Sequence, residues 1–336
     1  MPPDGGGTEN KMLKVGLIGC GFMGAMHANC YKNIEGVELC ALADLRPEKA
    51  EELAAGTNAV IYGDGMELIE NAELDIIDIC LPTYLHAKYA LAAMDKVKYV
   101  FVEKPVALTA EEGDALIKKS EETGCRVQVG QVIRFWDEYV ALKEIIESGK
   151  YGKVVNANFR RISPRPTWGW KGWLLDNALS GGAAQDLHIH DVDYVLSIFG
   201  EPEKFYSVRN RIGEGRSYVN TIMQYPETVI GVEGTWDLPG AHPFEATFRV
   251  VFEKATVENA GGKFMLYDDN GASEIAIEKV DAGVNEYAGG NISDLGGYYN
   301  ELVYFCGKAA AGEKICKATL ADGVSSLKFL LKEISF

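Results

Sequence analysis

Five short apolar runs, separated by stretches of helical periodicity, fill the first 133 residues. They read LKVGLIG from residue 13, VELCALAD from 37, LDIIDICLP from 74, KYVFVEKP from 98 and CRVQVGQV from 125. Each is apolar at consecutive positions, which suits a strand buried on both faces. Helical patterns lie at 24–35, 47–55, 64–71, 85–95 and 110–123. Strands joined by helices in this way pair in parallel, with helices covering both faces of the sheet. From about Gly152 the pattern changes. Segments 154–162, 204–212, 218–225, 228–237, 244–259, 263–268 and 273–280 alternate apolar with polar residues, with Gly, Pro, Asn and Asp between them. That predicts a second, mostly antiparallel sheet. Further helices are expected at about 183–199, 295–312 and 318–334. A chain of 336 residues accommodates two such domains.

The first run ends in Gly19-Cys20-Gly21-Phe22-Met23-Gly24 and passes straight into a helix. A GxGxxG string is weak evidence alone. Here it lies between strand and helix, and Asp44 ends the second strand. Gly19 allows the tight turn, Gly21 lets backbone approach a pyrophosphate, and Gly24 lets helix and strand pack closely. A phosphate there meets the free N–H groups and dipole of the helix N-terminus. Asp44 suits adenosine ribose hydroxyls and repels a 2′-phosphate, which favours NAD over NADP; Arg46 nearby is a group that can hold the extra phosphate. The alternative is a glycine-rich turn with no ligand. The fold reading is α/β: an N-terminal Rossmann dinucleotide-binding domain (11–133) and a C-terminal α+β domain with a large, mostly antiparallel open sheet (134–336). Residues 1–10 read as a disordered leader.

Ligands of an open parallel sheet bind outside the carboxyl ends of its strands. That rim carries Gly19, Asp44, Cys80-Leu81-Pro82-Thr83, Glu103-Lys104-Pro105 and Gln131. Lys104 there can donate to a substrate oxygen; the plainer alternative is a Glu103–Lys104 pair at a solvated strand end. Residues 181–199, GGAAQDLHIHDVDYVLSIF, read as a helix with Asp186, His190 and Asp193 on one face. His188 points elsewhere. An Asp one turn before a His can orient the imidazole as a base for a hydroxyl proton. A metal cluster of Asp186, His188, His190, Asp191 and Asp193 is disfavoured, because the two histidines diverge by about 200° on a helix. A surface helix with capping carboxylates is the other alternative. Three tryptophans, Trp168, Trp170 and Trp173, interleave with Arg160, Arg161, Arg165 and Lys171. They suit a carbohydrate ring, or else a packing loop.

Composition narrows the partners. The net charge of −16 and the lack of a basic stripe argue against nucleic acid and anionic membranes. No apolar run is long enough to span a bilayer, and the N-terminus has no signal pattern. Seven scattered cysteines without a CxxC pair suggest reduced thiols in the cytoplasm and no thiolate zinc site.

Together VGLIGCGFMG, the EKP at 103–105, the GG-x3-D-x3-H string ending at Asp186 and His190, and the C-terminal half resemble the Gfo/Idh/MocA oxidoreductases over nearly the whole chain. The resemblance implies Lys104, Asp186 and His190 as the catalytic set, often with a cis peptide before Pro105. It implies that Pro82, Thr83 and His86 line the cofactor, alongside Phe22, Met23, Arg46, Leu81 and Glu103. Gln131 and Trp173 fall where cofactor or substrate contacts recur, and Tyr298 fits a tyrosine near the site. Arg161 and Trp168 join the substrate set. The family often has Asn or His where Gln131 stands, and the Trp-rich segment and HIHD ending are not universal in it.

Such relatives act on inositols, free sugars, nucleotide sugars and glycosides. The expected function is therefore NAD(P)-dependent hydride transfer at a secondary hydroxyl of a sugar, inositol or derivative. His190 would act as base, oriented by Asp186, with Lys104 on the same oxygen and no metal. Two other readings stay open: a glycosidic hydrolase or lyase with tightly held NAD, and a non-catalytic NAD(H)-sensing protein. The alternating second sheet would leave a face uncovered in a monomer, so a homodimer or homotetramer is expected.

Overall fold

The computed structural model describes residues 12–210, 217–277 and 296–335. The expected leader at 1–10, and the strand ends at 211–212 and 278–280, lie outside the described residues. The apolar runs form a parallel six-stranded sheet: β1 (Leu13–Ile18), β2 (Val37–Ala43), β3 (Val60–Tyr62), β4 (Ile76–Ile79), β5 (Tyr99–Glu103) and β6 (Arg126–Gly130), in the order β3-β2-β1-β4-β5-β6. Crossovers carry α1 (Phe22–Tyr31), α2 (Pro47–Ala54), α3 (Gly65–Asn71), α4 (Thr83–Ala93) and α5 (Ala110–Thr123). Sequence reading missed β3, a short edge strand whose Val60 and Ile61 are exposed, so it lacks the doubly buried signature. Boundaries elsewhere follow local chemistry. Helix α5, for example, starts in a capping box of Thr109 and Glu112 and ends at Gly124 in the left-handed conformation.

The order of connection reverses between β1 and β4, which opens a crevice at the carboxyl ends of these strands. After β6 the chain makes a short turn and α6 (Asp137–Ser148), then enters β7 (Val154–Pro164). A kinked turn over Trp170–Leu175 and α7 (Asn177–Ser180) lead to a π-helical turn, Ala184–His188, that runs into α8 (Ile189–Phe199). The remaining strands are β8 (Lys204–Asn210), β9 (Tyr218–Gln224), β10 (Val229–Leu238), β11 (Glu245–Phe252), β12 (Ala255–Ala260), β13 (Lys263–Asp268) and β14 (Gly271–Glu274). With β7 they form an eight-stranded sheet, β14-β13-β12-β11-β7-β10-β9-β8, in which β7 and β10 pair in parallel and the other neighbours are antiparallel. One face buries Phe159, Val219, Met223, Val232 and Phe248. The segment 244–259, read as one strand, is two strands broken at Glu253–Lys254.

The last two helices, α9 (Gly296–Ala310) and α10 (Leu320–Glu333), return to the first domain. Phe305 of α9 is fully buried, edge-on to Tyr99 and Phe101 of β5 with ring centres at 6.2 and 5.4 Å. Leu320, Val324 and Leu327 of α10 share a core with Leu116, Val127 and Val129. Their apolar faces thus complete the Rossmann core, although they follow the second domain in the chain. A division at residue 133 does not capture this, because amphipathic spacing shows that a helix buries one face but not which core receives it.

Candidate active site

A cleft of ≈ 500 Å³ runs along the carboxyl ends of the parallel strands and is closed from the other side by the Trp-rich segment and the start of α8. At one end, β1 runs into the glycine loop. Gly19 has φ +96, and a Cβ there would sit 2.5 Å from the Cys80 carbonyl oxygen; a Cβ on Gly24 would lie 1.8 Å from that of Gly19. Only glycine fits either place. Gly24 is therefore a packing residue beneath the loop, whereas Gly21, Phe22 and Met23 face the cleft. Gly21 is the N-cap of α1 and no side chain caps it, so the positive end of the helix dipole meets the cleft without a side-chain carboxylate or hydroxyl on it, which suits an anion. Asp44, at the end of β2, accepts from Cys20 N at 2.8 Å and from Arg46 N at 2.8 Å. Arg46 also grips it through Nε (3.0 Å) and Nη2 (3.1 Å) and stacks over Trp170, 5.0 Å from the ring centre. The cradle and the carboxylate fit a dinucleotide, with the pyrophosphate on the loop and a ribose at Asp44.

Further along, Leu81, Pro82 and Thr83 line the wall. His86 spans two backbone carbonyls, that of Leu81 from Nε2 (2.6 Å) and that of Pro105 from Nδ1 (2.7 Å). Burial pushes its pKa down despite both carbonyls, so the neutral ring donates to one of them and braces the turn after β5. That turn contains a cis Lys104–Pro105 peptide. Glu103 and Lys104 diverge there. The Glu103 carboxylate turns inward, while Lys104 Nζ reaches across the domain boundary to the Asp186 carbonyl (2.7 Å) and carboxylate (3.1 Å). His190, Trp168, Trp173 and Tyr298 line the same cleft. Burial, then Lys104 and Arg161, hold the His190 pKa well below the ordinary imidazole value, so the ring is neutral and able to accept a proton. Burial and the nearby Glu103 and Glu301 raise that of Tyr298 and keep it a phenol.

Four sequence expectations change. Asp186 bonds Lys104, not His190, whose buried Nδ1 has no hydrogen-bond partner. Asp193 does not share that face. It is fully buried, pairs with Arg134 at 2.6 Å and accepts from Ser326 at 2.7 Å, while the π-helical turn shifts Asp186 off the 3.6-residue projection of α8. Arg161 is 1 % exposed and bound to Asp191 (2.7 and 3.2 Å) and to the Tyr139 hydroxyl (3.1 Å), so it is a buried strut. It meets the site only at a side cavity of ≈ 40 Å³ shared with His190 and Tyr298. Gln131 is fully buried and does not line the cleft. The 186–193 cluster does not converge: Asp186, Asp191 and Asp193 each take a different cation, and His188 lies 3.7 Å from Glu333. The sequence places Cys80 on the rim and Trp170 among the tryptophans without a role for either, and it does not single out His27. Trp170 and Cys80 line the cleft, and His27 sits beneath it. Asp78, a carboxylate in the middle of a doubly buried strand, was the signal for His27.

Fold and site are those of a two-domain dinucleotide-binding protein, with a Lys–Asp contact bridging its domains beside a histidine. The chain belongs to the GFO/IDH/MocA oxidoreductase family: residues 13–131 match its NAD-binding Rossmann fold and residues 139–258 its C-terminal domain. Among curated relatives, the myo-inositol 2-dehydrogenase of Thermotoga maritima is 32% identical over 193 residues, 56% of this chain and 55% of that protein. The 4-carboxy-2-hydroxymuconate-6-semialdehyde dehydrogenase of Sphingobium sp. is 34% identical over 139 residues, 41% of this chain and 44% of that protein. The chain thus spans about half the length of the curated relatives it matches. An oxidoreductase from Agrobacterium radiobacter, solved with NAD+, L-tartaric acid and magnesium, superposes with a TM-score of 0.81 at 19% identity, over 95% of this chain and 94% of that one. The scyllo-inositol dehydrogenase of Lactobacillus casei gives 0.76 at 20% identity, over 96% and 95%. At these identities the likeness is one of fold.

Proposed function

We propose that the protein is an NAD-dependent dehydrogenase acting on a secondary hydroxyl of a cyclic polyol, sugar or sugar derivative. The observation that carries this reading is the contact of Lys104 with Asp186 across the domain boundary, beside a neutral His190, in the cleft that begins at the glycine loop. The bound dinucleotide supplies the hydride acceptor. The chain's own residues handle the proton and the oxygen. Asp186 holds the Lys104 ammonium in the cleft, where it donates to the substrate oxygen and stabilises the charge that develops on it. His190 takes the hydroxyl proton, since burial and two nearby cations keep its ring unprotonated. Trp168 and Trp173 offer apolar faces to a ring, while Lys104 and His190 meet its hydroxyls.

The test is NADH formation by the purified protein, with NAD and then NADP, over inositols, aldoses, nucleotide sugars and glycosides. Turnover with one class supports the reading. No turnover anywhere, with NAD bound, refutes it. Loss of activity in Lys104→Ala with a near-normal pH–rate profile in His190→Ala would exchange their roles. We also assign the protein to the cytoplasm as a homodimer or homotetramer. In support, the described cysteines are free, no helix among the described residues is long and apolar enough to cross a membrane, and the outer face of the second sheet exposes Tyr206, Val208, Ile222 and Val229.

A further inference from the structure

Glu103 and Lys104 are neighbours in the chain, yet their charges are kept apart. The Glu103 carboxylate is nearly enclosed, and a buried carboxylate requires a counter-charge. Two cations are in reach, Lys104 and His27. The structure gives the carboxylate to His27, whose Nε2 lies 3.2 Å from Glu103 Oε1, while Glu103 Oε2 accepts only the backbone N–H of Lys104 at 3.2 Å. Nε2 and Oε1 meet at ion-pair distance without a hydrogen bond, whereas the other edge of the His27 ring is hydrogen-bonded. Nδ1 lies 2.8 Å from Asp78 Oδ2 and 3.2 Å from Cys80 Sγ, and the Tyr31 hydroxyl donates to the same Asp78 oxygen at 2.9 Å. His27 and Tyr31 stand one turn apart on α1, so one helix face meets a carboxylate in the middle of β4. Phe101 closes the ring edge-on, with centres 5.3 Å apart.

We propose that His27 and Asp78 are a buried positioning pair that draws the Glu103 carboxylate into the core and so leaves the adjacent Lys104 ammonium to Asp186 and the cleft. The inference rests on the dehydrogenase reading only for what Lys104 then does. His27 lies on the helix that opens at the glycine loop, so the same element that receives the dinucleotide fixes the turn that carries the lysine. The surrounding charges agree with this arrangement. Burial works against a charged His27, but the Cys80 sulfur and the Asp78 carboxylate outweigh it and hold the ring's pKa well above the ordinary value. Glu301 of α9 is fully buried, and burial together with Glu103 pushes its pKa far up, so it stays neutral and does not compete for His27. The remaining groups around this turn are His86 of α4, Tyr298 of α9, Asp186 of the π-helical turn and His190 of α8.

The test reads Lys104 directly. Trace acetylation of the folded protein with acetic anhydride across alkaline pH, followed by peptide mass spectrometry, reports the fraction of Lys104 present as free amine. In His27→Gln, the uncompensated Glu103 draws on Lys104 in addition to the Asp186 carboxylate that Lys104 already meets, and labelling at a fixed pH falls about tenfold, since each further opposite charge at contact shifts a pKa by about 1–3 units. Adding Glu103→Gln to His27→Gln relieves the loss, because no buried charge then remains to be matched. A structural role alone would lower stability without this relief. Unchanged Lys104 labelling in His27→Gln, or a loss that Glu103→Gln does not relieve, overturns the proposal. Should His27→Gln fail to fold, Asp78→Asn keeps the ring and weakens its hold; the same loss and the same relief are expected, and no loss overturns it. NADH formation by the wild type is followed in parallel. Its absence would refute the dehydrogenase reading while leaving the labelling result to stand.

Discussion

Replacing Asp191 with alanine strands a guanidinium in the interior. Arg161 is 1 % exposed and Asp191 is fully buried, and the two meet at 2.7 and 3.2 Å in a forked pair. The other groups that touch the guanidinium are neutral, the Tyr139 hydroxyl and the Trp136 ring, whose centre lies 5.3 Å away. At an effective dielectric constant of about 20, unit charges ~3 Å apart attract by about 5–6 kcal/mol. Removing one member of such a buried pair typically costs about 3–5 kcal/mol, because the other is left unmatched and cannot reach water. Asp191→Ala should lose that much in urea unfolding, read as a lower midpoint. The double variant Arg161→Met with Asp191→Leu removes both charges while keeping bulk, and should lose less than Asp191→Ala alone. The same double variant tests whether Arg161 contacts substrate: as a strut, it can be replaced with KM changed little. A cost below about 1 kcal/mol for Asp191→Ala would refute the reasoning.

Other outcomes follow from the same geometry. Lys104→Ala and His190→Ala should each lower kcat/KM by about 10²–10⁴ while NAD binding, followed by fluorescence, is retained. His190 has a folded pKa below its unfolded value, so the unfolded state takes up the proton first and stability declines as pH falls below about 6.5; His190→Gln should flatten the acid side of the stability profile. Gly24→Ala places a methyl 1.8 Å from a backbone oxygen and should abolish dinucleotide binding or folding, measured by calorimetry and circular dichroism. Tyr206, 72 % exposed on the open sheet face, should as Tyr206→Glu shift the protein toward monomer in sedimentation, with its fold intact.

The parts of the fold that were legible in the sequence are those set by neighbours in the chain. The glycine loop is one, since the positive φ of Gly19 and the approach of Gly24 to the Gly19 carbonyl are set within one strand–turn–helix unit. The five doubly buried strands are another, for their apolar runs admit few alternatives. What failed depended on partners distant in sequence. Asp186 and His190 looked like a pair at helical spacing, but a π-helical turn separates their roles, and the lysine that claims Asp186 lies 82 residues away. Arg161 looked available beside the tryptophans until Asp191 of α8 was seen to enclose it. Helices α9 and α10 gave a clear amphipathic pattern without saying which domain they complete. His27 and Asp78 were hidden because each stands in an otherwise apolar stretch, where a charge reads as an exception rather than as half of a pair.

The central claim is that this cleft moves a hydride from a carbinol carbon to the dinucleotide while Lys104 and His190 manage the oxygen and its proton. Its most direct test is a single turnover with a polyol deuterated at the carbinol carbons, followed by mass analysis of the reduced dinucleotide. The account predicts label on the nicotinamide in the wild type, and none transferred by Lys104→Ala or His190→Ala within the same time. Reduced dinucleotide formed without label, or label transferred equally fast by both variants, would contradict it.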